Sequence, residues 1–309
     1  MAKLRNDRVD WIQYMALRIV HMMMHCWPVQ WNLRLAQYMG DALYYIDARH
    51  RKRAIGNITR SFPTYSQRRV RRLARESMRQ TIMLFIEVLF TTRLVRIETF
   101  TKHVRLGNFT QTLELLLDRH RGLIMLTAHY GNWEILGYVL ATLGLPTVSV
   151  ARPLDNPYVN QWLLGVREKR GQRIVDKKGA TEDITQTLEA HGAVGFIADQ
   201  NAGPKGIFVD FFGRKASTYK SIGLLAMRYD VPVIIGYARR IGTKFEFEVG
   251  TQDVILPEEW KAQDQPLHYI TQRYTKAIED FVTAEPGQYL WVHRRWKSRP
   301  KGEAPEAFD

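Results

Sequence analysis

The stretch LTAHYGNWEILG, residues 126 to 137, places His129 and Glu134 five positions apart. On a continuous α-helix, five positions rotate the chain by about 140°, so the two side chains would point apart. The apolar run at residues 122 to 128 instead predicts a buried strand, and a helical pattern begins after Asn132, which suits an N-cap. We therefore expect His129 in the turn between strand and helix, with Glu134 in the first helical turn and within reach of it.

These two residue types suit general-base chemistry on a substrate hydroxyl. Histidine has a pKa of about 6.5 and accepts a proton at neutral pH, while a neighbouring carboxylate fixes its tautomer and stabilises the imidazolium. We expect His129 to be the base and Glu134 its partner. A purely structural pair is the alternative, because this spacing also arises by chance.

Other common catalytic motifs are absent from the sequence. It contains no G-x-S-x-G elbow, no G-x-x-x-x-G-K-[ST] loop, no G-x-G-x-x-G loop and no H-E-x-x-H pair. The nine histidines form no close His/Cys cluster, and the single Cys26 rules out an internal disulfide. The sequence therefore predicts neither a covalent nucleophile nor a metal site.

The chain is strongly basic. Its 45 Lys and Arg residues exceed 31 Asp and Glu residues, which gives a formal net charge of +14 at pH 7. Residues 49 to 75 contain ten basic residues and no acidic one. This charge predicts an anionic partner, and nucleic acid, anionic lipid and an acidic carrier protein all qualify, with a plain solvated face as the alternative.

An apolar segment lies near the N-terminus. Residues 9 to 31 are rich in Met, Trp and Ile, but Arg18, His21 and His25 interrupt them at i, i+3 and i+7. This spacing collects the polar residues on one stripe and leaves the remaining surface apolar. The pattern favours a helix that lies in a membrane interface over one that spans the bilayer, and a buried core helix is the alternative.

The periodicity changes along the chain. Residues 1–100 read as helical, whereas strand and helix alternate after residue 120. The predicted strands are 122–128, 146–151, 172–176, 193–199, 232–238 and 244–249, and the predicted helices are 132–143, 157–170, 180–191 and 218–229. We therefore predict an α/β core over 101–299, with a mixed, largely parallel sheet flanked by helices, and a flexible tail at 300–309. Functional residues are expected after strand ends, where His129 and Asp199 lie.

The element HYGNWE resembles the H-x-x-x-x-D/E motif of glycerolipid acyltransferases, and in particular that of the bacterial lipid A biosynthesis lauroyl/myristoyl (late) acyltransferases, where the acid is Glu. Three later blocks look like blocks of the same family, and the similarity extends from about residue 40 to residue 299. The blocks are ARPLDNPYVNQWLLGVREKRG (151 to 171), ADQNAGPKGIFVDFFGRKASTYKSIGLLAMRYDVPVI (198 to 234) and QYLWVHRRWKSR (288 to 299).

The resemblance implies an enzyme at the cytoplasmic face of the inner membrane. Such an enzyme moves a fatty acyl group from acyl carrier protein to a hydroxyl of a glycolipid, of the lipid A precursor type, without a metal or a dissociable cofactor, and nucleic acid is not an expected partner. In this family His129 would be the base and Glu134 its partner. Arg167 is expected to bind a phosphate or the thioester oxyanion, and Arg152 and Lys205 are expected to bind phosphate groups. Asp199 and Gln200 are further expected substrate-binding residues.

Two other functions stay open from the sequence. The block at residues 198 to 234 lacks the Pro-Glu-Gly element of the wider glycerolipid branch, which favours a glycolipid acceptor, but a phosphatidylinositol mannoside or another glycolipid fits as well. A non-enzymatic basic protein that binds membranes or nucleic acid is the second alternative, and it predicts that His129 has no functional role.

Overall fold

The computed structural model describes residues 6–176 and 179–303, so residues 304–309 of the predicted tail lie outside the described part of the chain. Between residues 6 and 103 the described chain is helical apart from short connections. The helices are α1 (Asp7–His25), α2 (Val29–Ile46), α3 (Ala48–Ser61), α4 (Gln67–Leu94) and α5 (Phe100–His103).

Strands and helices alternate in the remainder. The strands are β1 (Val104–Leu106), β2 (Leu123–Thr127), β3 (Thr147–Ala151), β4 (Arg173–Asp176), β5 (Ala193–Ile197), β6 (Ile207–Phe211), β7 (Arg214–Thr218), β8 (Val233–Arg240) and β9 (Phe247–Ile255). The helices are α6 (Thr110–Asp118), α7 (Trp133–Thr142), α8 (Pro157–Arg167), α9 (Ala180–Glu189), α10 (Lys220–Tyr229), α11 (Pro257–Lys261) and α12 (Pro266–Ala284). Five of the six predicted strands and the four predicted helices of the core are confirmed, apart from shifts at their ends. The predicted strand at 244–249 overlaps β9 only at residues 247–249.

Seven strands form one mixed sheet in the order β1-β9-β8-β2-β5-β3-β4. Every neighbouring pair is parallel except β8 and β9, which are antiparallel. Strands β6 and β7 form a separate antiparallel hairpin. The predicted fold class, a largely parallel sheet flanked by helices, is therefore confirmed.

Strand β2 lies near the middle of the sheet and is buried along its whole length. Its side chains alternate between two apolar clusters: Leu126 packs with residues of α10 and α12, while Met125 packs with residues of α7. Burial on both faces explains why this segment reads in sequence as an uninterrupted apolar run. Residues of the N-terminal helices join both clusters, with Ile58 of α3 in one and Leu33 of α2 in the other.

The polar stripe of α1 faces the protein. The ring of His21 packs against Trp162 of α8 at a centroid distance of 5.2 Å, and the ring of His25 stacks on Phe90 of α4 at 4.3 Å. The Arg18 guanidinium donates to the Tyr14 hydroxyl at 2.8 Å. Over residues 6–176 and 179–303, no helix combines the length and the apolar character needed to cross a bilayer.

A buried ion pair joins α4 to the sheet. The carboxylate of Glu87 accepts two hydrogen bonds from the guanidinium of Arg240 on β8, and both side chains are fully buried. Glu87 also accepts a hydrogen bond from the Asn132 side chain at 2.9 Å. Gln288 exchanges two hydrogen bonds with the Arg240 backbone, at 2.8 and 2.9 Å. This network therefore holds α4, β8, the start of α7 and the C-terminal segment together.

Breaking this pair should destabilise the fold strongly. Glu87→Gln leaves Arg240 as an uncompensated buried charge, so we expect the free energy of unfolding to fall by about 3–5 kcal/mol. The double variant Glu87→Met with Arg240→Met buries no charge and should lose much less. Urea unfolding followed by tryptophan fluorescence measures both.

Asp280 provides the matched control, because it pairs with Lys276 on the surface of α12 at 2.8 Å. Asp280→Asn should change the free energy of unfolding by only about 0.5 kcal/mol. A double Met variant as unstable as Glu87→Gln would contradict the explanation by buried charge.

Candidate active site

His129 lies in the turn between β2 and α7, as the sequence predicted. Gly131 has a φ of +55°, and a Cβ atom there would lie 2.1 Å from the Ala238 carbonyl oxygen, so only glycine fits. The Asn132 side chain caps α7 by accepting a hydrogen bond from the Ile135 amide at 2.9 Å. The predicted N-cap is therefore confirmed. Gly131 and Asn132 together fix the backbone of the turn that carries His129.

The carboxylate that contacts His129 belongs to Asp199. His129 Nδ1 lies 2.7 Å from Asp199 Oδ1, and the His129 backbone amide donates to Asp199 Oδ2 at 3.0 Å. Burial alone raises the pKa of Asp199, but the charge and hydrogen bonds of His129 outweigh it and hold that pKa well below its usual range. An ionised Asp199 keeps the imidazole proton on Nδ1, so Nε2 is free to accept another.

The predicted pairing of His129 with Glu134 is wrong. Both carboxylate oxygens of Glu134 accept from Arg167 on α8, through Nε at 2.7 Å and Nη2 at 2.6 Å. The physical reason is strand adjacency: β2 and β5 are parallel neighbours with Thr127 opposite Ile197, so the residues just beyond these two ends meet. From the first turn of α7, Glu134 reaches across to α8 instead.

Two rings flank His129. Trp133 lies at a centroid distance of 4.9 Å and His293 at 4.6 Å. Asn57 holds the His293 carbonyl oxygen at 3.1 Å, and the Leu290 amide donates to the His129 carbonyl at 3.0 Å, so the C-terminal segment is fastened beside the turn. Sequence reasoning missed His293, although its block was one of those that resemble the acyltransferases.

His293 is neutral near pH 7. Burial, and secondarily the proximity of His129, lowers the pKa of His293 to about 4. A neutral ring beside His129 does not compete with it for the charge of Asp199.

His129, Asp199 and His293 also form a group of metal-ligating side chains, with ligand atoms within 4.8 Å of one another. Two of these side chains are already joined, because His129 Nδ1 lies 2.7 Å from Asp199 Oδ1.

A cavity of about 600 Å³ lies beside His129, between the sheet and α7. Arg167, Glu134 and Arg152 provide its charged lining. Much of the remaining wall is apolar or glycine, and it includes Phe109, Met125, Leu136, Gly137, Leu140, Gly195, Ile234, Gly236 and Gly250. Such a space accommodates a hydrocarbon chain next to a polar reaction centre.

The other predicted binding residues differ in position. Gln200 lines the cavity, and its Nε2 lies 3.5 Å from His129 Nε2. Arg152 also lines the cavity and is exposed, with a contact to Asp155 at 3.4 Å. Lys205 is exposed in the turn before β6 and does not line the cavity, so the structure does not place it with the other predicted residues.

The chain matches known proteins over nearly its whole length. The model of the family described as bacterial lipid A biosynthesis acyltransferase matches residues 3–298. The lipid A biosynthesis lauroyltransferase of Escherichia coli is 23% identical over 299 residues, which cover 94% of this chain and 93% of the relative. The lipid A biosynthesis acyltransferase 2 of Shigella flexneri is 27% identical over 258 residues, or 82% of this chain and 80% of the relative.

Two further matches are partial or distant. A lipid A biosynthesis acyltransferase of Haemophilus influenzae is 27% identical over 188 residues, which cover 59% of this chain and 56% of the relative. Among solved structures, the 1-acyl-sn-glycerophosphate acyltransferase PlsC of Thermotoga maritima has a TM-score of 0.36 and 13% identity, over 83% of this chain and 97% of that one.

The lowered pKa of His293 should make stability depend on pH. The folded value is about 4 and the ordinary value is 6.5, so between them the unfolded chain binds more protons and the free energy of unfolding falls as the pH is lowered. From pH 7 to pH 5 we expect His293 to contribute a loss of about 2 kcal/mol. His293→Phe should lack this contribution, which urea unfolding at the two pH values measures; an equal loss in both proteins would contradict it.

Proposed function

Because the chain belongs to the family of bacterial lipid A biosynthesis acyltransferases, we propose that it transfers a fatty acyl group from acyl carrier protein to a hydroxyl of a glycolipid of the lipid A precursor type. The observation that carries this proposal is the His129–Asp199 pair, because His129 Nε2 points away from Asp199 and His129 lines a cavity with a largely apolar wall. The two together provide a base for a hydroxyl and a space for an acyl chain.

The reaction proceeds through His129 Nε2. This nitrogen takes the proton of the acceptor hydroxyl while the hydroxyl oxygen attacks the thioester carbonyl carbon, which gives a tetrahedral oxyanion and an imidazolium. The oxyanion collapses as the carbon–sulfur bond breaks, and the leaving sulfur takes the proton back from His129. The products are the acylated glycolipid and the free carrier thiol, and His129 returns to its starting state.

Asp199 replaces Glu134 as the proposed partner of the base. Asp199 is 2% exposed and its carboxylate is hydrogen-bonded to His129, so it stabilises the imidazolium that forms during the transfer. Glu134 has a positioning role, because it holds Arg167 in a two-pronged ion pair at the cavity. A guanidinium has five N–H donors and this pair uses two, so Arg167 retains donors for a phosphate or the thioester oxyanion.

The N-terminal helices provide the proposed membrane contact. Because the polar stripe of α1 faces the protein, its apolar side is turned outward, and α2 continues this surface. Large exposed apolar residues on α1, α2 and their connection are Val9, Trp11, Ile12, Ile19, Val20, Met22, Met23, Trp27, Trp31, Leu35, Tyr38, Met39, Tyr45 and Ile46. We assign this surface to the cytoplasmic face of the inner membrane, with the helices lying in the interface.

The basic segment supplies the proposed docking surface for acyl carrier protein. Four arginines in the first two turns of α4 are exposed, namely Arg68, Arg69, Arg71 and Arg72. Others are engaged inside the fold: Arg53 is 6% exposed and donates to the Val292 carbonyl, and Arg75 pairs with Asp41. Of the six exposed Lys and Arg residues of the segment, four therefore lie at the start of α4, and the other two are Arg49 and Lys52 on α3.

Substitutions at the site test the proposed chemistry. His129→Ala should lower turnover by about 10² to 10⁴, the usual contribution of a general base, and Asp199→Asn should also lower kcat because the tautomer is no longer fixed. Glu134→Gln keeps one hydrogen bond to Arg167 and should retain more activity than Glu134→Ala. The assay is release of the free carrier thiol from an acyl carrier donor, with a lipid A precursor in detergent as acceptor.

His120 offers the matched histidine control, because its side chain is 82% exposed and does not line the cavity. His120→Ala should leave turnover unchanged. Wild-type turnover in a folded His129→Ala variant would remove the proposed mechanism.

Charge reversal tests carrier docking. Changing Arg68, Arg69, Arg71 and Arg72 to Glu should raise the KM for acyl carrier protein severalfold and weaken its salt dependence, with little change in kcat, because exposed charges mainly govern encounter. The matched control reverses four exposed basic residues elsewhere, at Lys102, Arg105, Arg119 and Arg121. An equal effect of both sets would assign the change to net charge and not to a docking surface.

A further inference from the structure

The cavity beside His129 extends beneath α7 to both sides of the central strand β2. On one side its wall includes residues of β8 and β9 and the residue before α6, namely Ile234, Gly236, Thr251 and Phe109. On the other side its wall includes residues of β5 and β3 and the residue before β4, namely Gly195, Ser149 and Gln172. We call the first part the β9 arm and the second part the β3 arm.

The two arms differ in polarity. In the β3 arm, Gln172 Nε2 donates to Ser149 Oγ at 3.1 Å. In the β9 arm, the hydroxyl of Thr251 is already paired with that of Thr112 at 2.6 Å, and both residues are buried. Hydrocarbon laid over an amide removes the water that solvates it, which costs free energy. The β9 arm is therefore the better place for a hydrocarbon chain.

The β9 arm is closed at its far end. Phe109 is 5% exposed and Thr251 is 7% exposed. The Thr251 amide donates to the Asn108 carbonyl at 2.8 Å, which fastens the loop that carries Phe109 to β9. Elsewhere the cavity wall includes the exposed residues Arg152 and Leu154. A chain in the β9 arm therefore meets a wall, and this wall limits its length.

Gly236 lies between the reaction centre and the closed end of the β9 arm. It precedes Ala238 by two residues, and the Ala238 carbonyl accepts a hydrogen bond at 2.8 Å from the Asn132 amide, in the turn that carries His129. On its other side Gly236 lies opposite Thr251 of β9. A chain that starts at His129 therefore crosses Gly236 to enter this arm.

The space next to Gly236 is open. Apart from its chain neighbours, only two atoms of the described residues lie within 4 Å of a Cβ atom built on Gly236, namely the Gly250 carbonyl oxygen at 3.4 Å and Leu136 Cδ2 at 3.8 Å. Leu136 itself lines the cavity. Gly236 does not have a positive φ, so its backbone does not require glycine. A side chain at this position would project into the β9 arm and narrow it.

We propose that the acyl chain enters the β9 arm across Gly236, and that this glycine determines the length of chain that the protein accepts. The inference rests on the proposed acyl transfer and specifies its donor. A side chain at this position keeps the end of a long chain out of the arm, whereas a chain that ends before Gly236 loses little. Each methylene that stays buried contributes a factor of about four to affinity.

The experiment measures kcat/KM for saturated donors on acyl carrier protein: hexanoyl, decanoyl, lauroyl, myristoyl and palmitoyl. The acceptor is a lipid A precursor in detergent. For the wild type we expect kcat/KM to rise with chain length until the β9 arm is full. Gly236→Val should lower the ratio of lauroyl to hexanoyl by about tenfold or more, because at least two methylenes lose their burial. Gly236→Ala should lower this ratio by a smaller factor.

Two other glycine variants locate the chain. Gly195→Ala puts a methyl group in the β3 arm, where its Cβ would lie 3.0 Å from Ser149 Oγ, and it should leave the lauroyl-to-hexanoyl ratio unchanged. Gly165→Ala is the matched control outside the cavity. Gly165 lies on α8, is exposed and has no atom of the described chain within 4 Å of a Cβ built there. This variant should also keep the wild-type ratio.

The outcomes separate this inference from the proposed acyl transfer. A ratio that falls in Gly195→Ala but not in Gly236→Val would place the chain in the β3 arm and overturn the inference, and so would an equal fall or no fall in both variants. In these cases the wild type still transfers acyl groups. If tryptophan fluorescence shows that Gly236→Val is unfolded, Gly236→Ala decides, because its methyl group makes only ordinary van der Waals contacts. If the wild type consumes no donor, the proposed acyl transfer fails and the inference fails with it.

Discussion

The buried pair of Glu87 and Arg240 is the constraint on which the site depends. Neither charge reaches solvent, so each is tolerable only while the other is in contact, and α4 must therefore stay against β8. The second hydrogen-bonding partner of Glu87 is Asn132, which also caps α7. The ion pair thus fixes the start of α7, and with it the turn that carries His129.

The reaction centre combines three parts of the chain that are far apart in sequence. Parallel pairing of β2 with β5 brings His129 to Asp199, and the C-terminal segment adds His293 against the other side of the ring. Each part is held by backbone or capping hydrogen bonds outside the centre. The orientation of the imidazole is therefore set by the sheet and the C-terminal segment together, before any substrate is bound.

The fold buries or pairs some of the basic side chains at residues 49 to 75 and leaves others exposed. The basic segment at residues 49 to 75 contains no acidic residue, yet Asp41 on α2 binds Arg75 of this segment and also Arg79. Burial raises the pKa of Asp41, but the hydrogen bonds from these two arginines outweigh it and hold that pKa well below its usual range. Arg53 is buried against the C-terminal segment. Only part of the segment is therefore surface charge that a partner can use.

Much of the fold of this protein could be predicted from the sequence alone. Local periodicity predicted the strand before His129 and the helix after it, capping chemistry predicted Asn132, and the alternation of elements predicted a largely parallel sheet. The family resemblance covered the same blocks that the family match now spans. These features are readable because backbone hydrogen bonding and side-chain burial impose a repeat on neighbouring residues.

Other features were decided only by the tertiary structure. Asp199 and not Glu134 contacts His129, His293 joins them, and a partly polar cavity opens beside them. The direction of α1, with its polar stripe inward, was likewise undecided between a membrane helix and a core helix. Each of these features depends on which strands and helices are neighbours in space. A local sequence pattern does not encode those neighbours, because the same pattern forms the same element whatever packs against it.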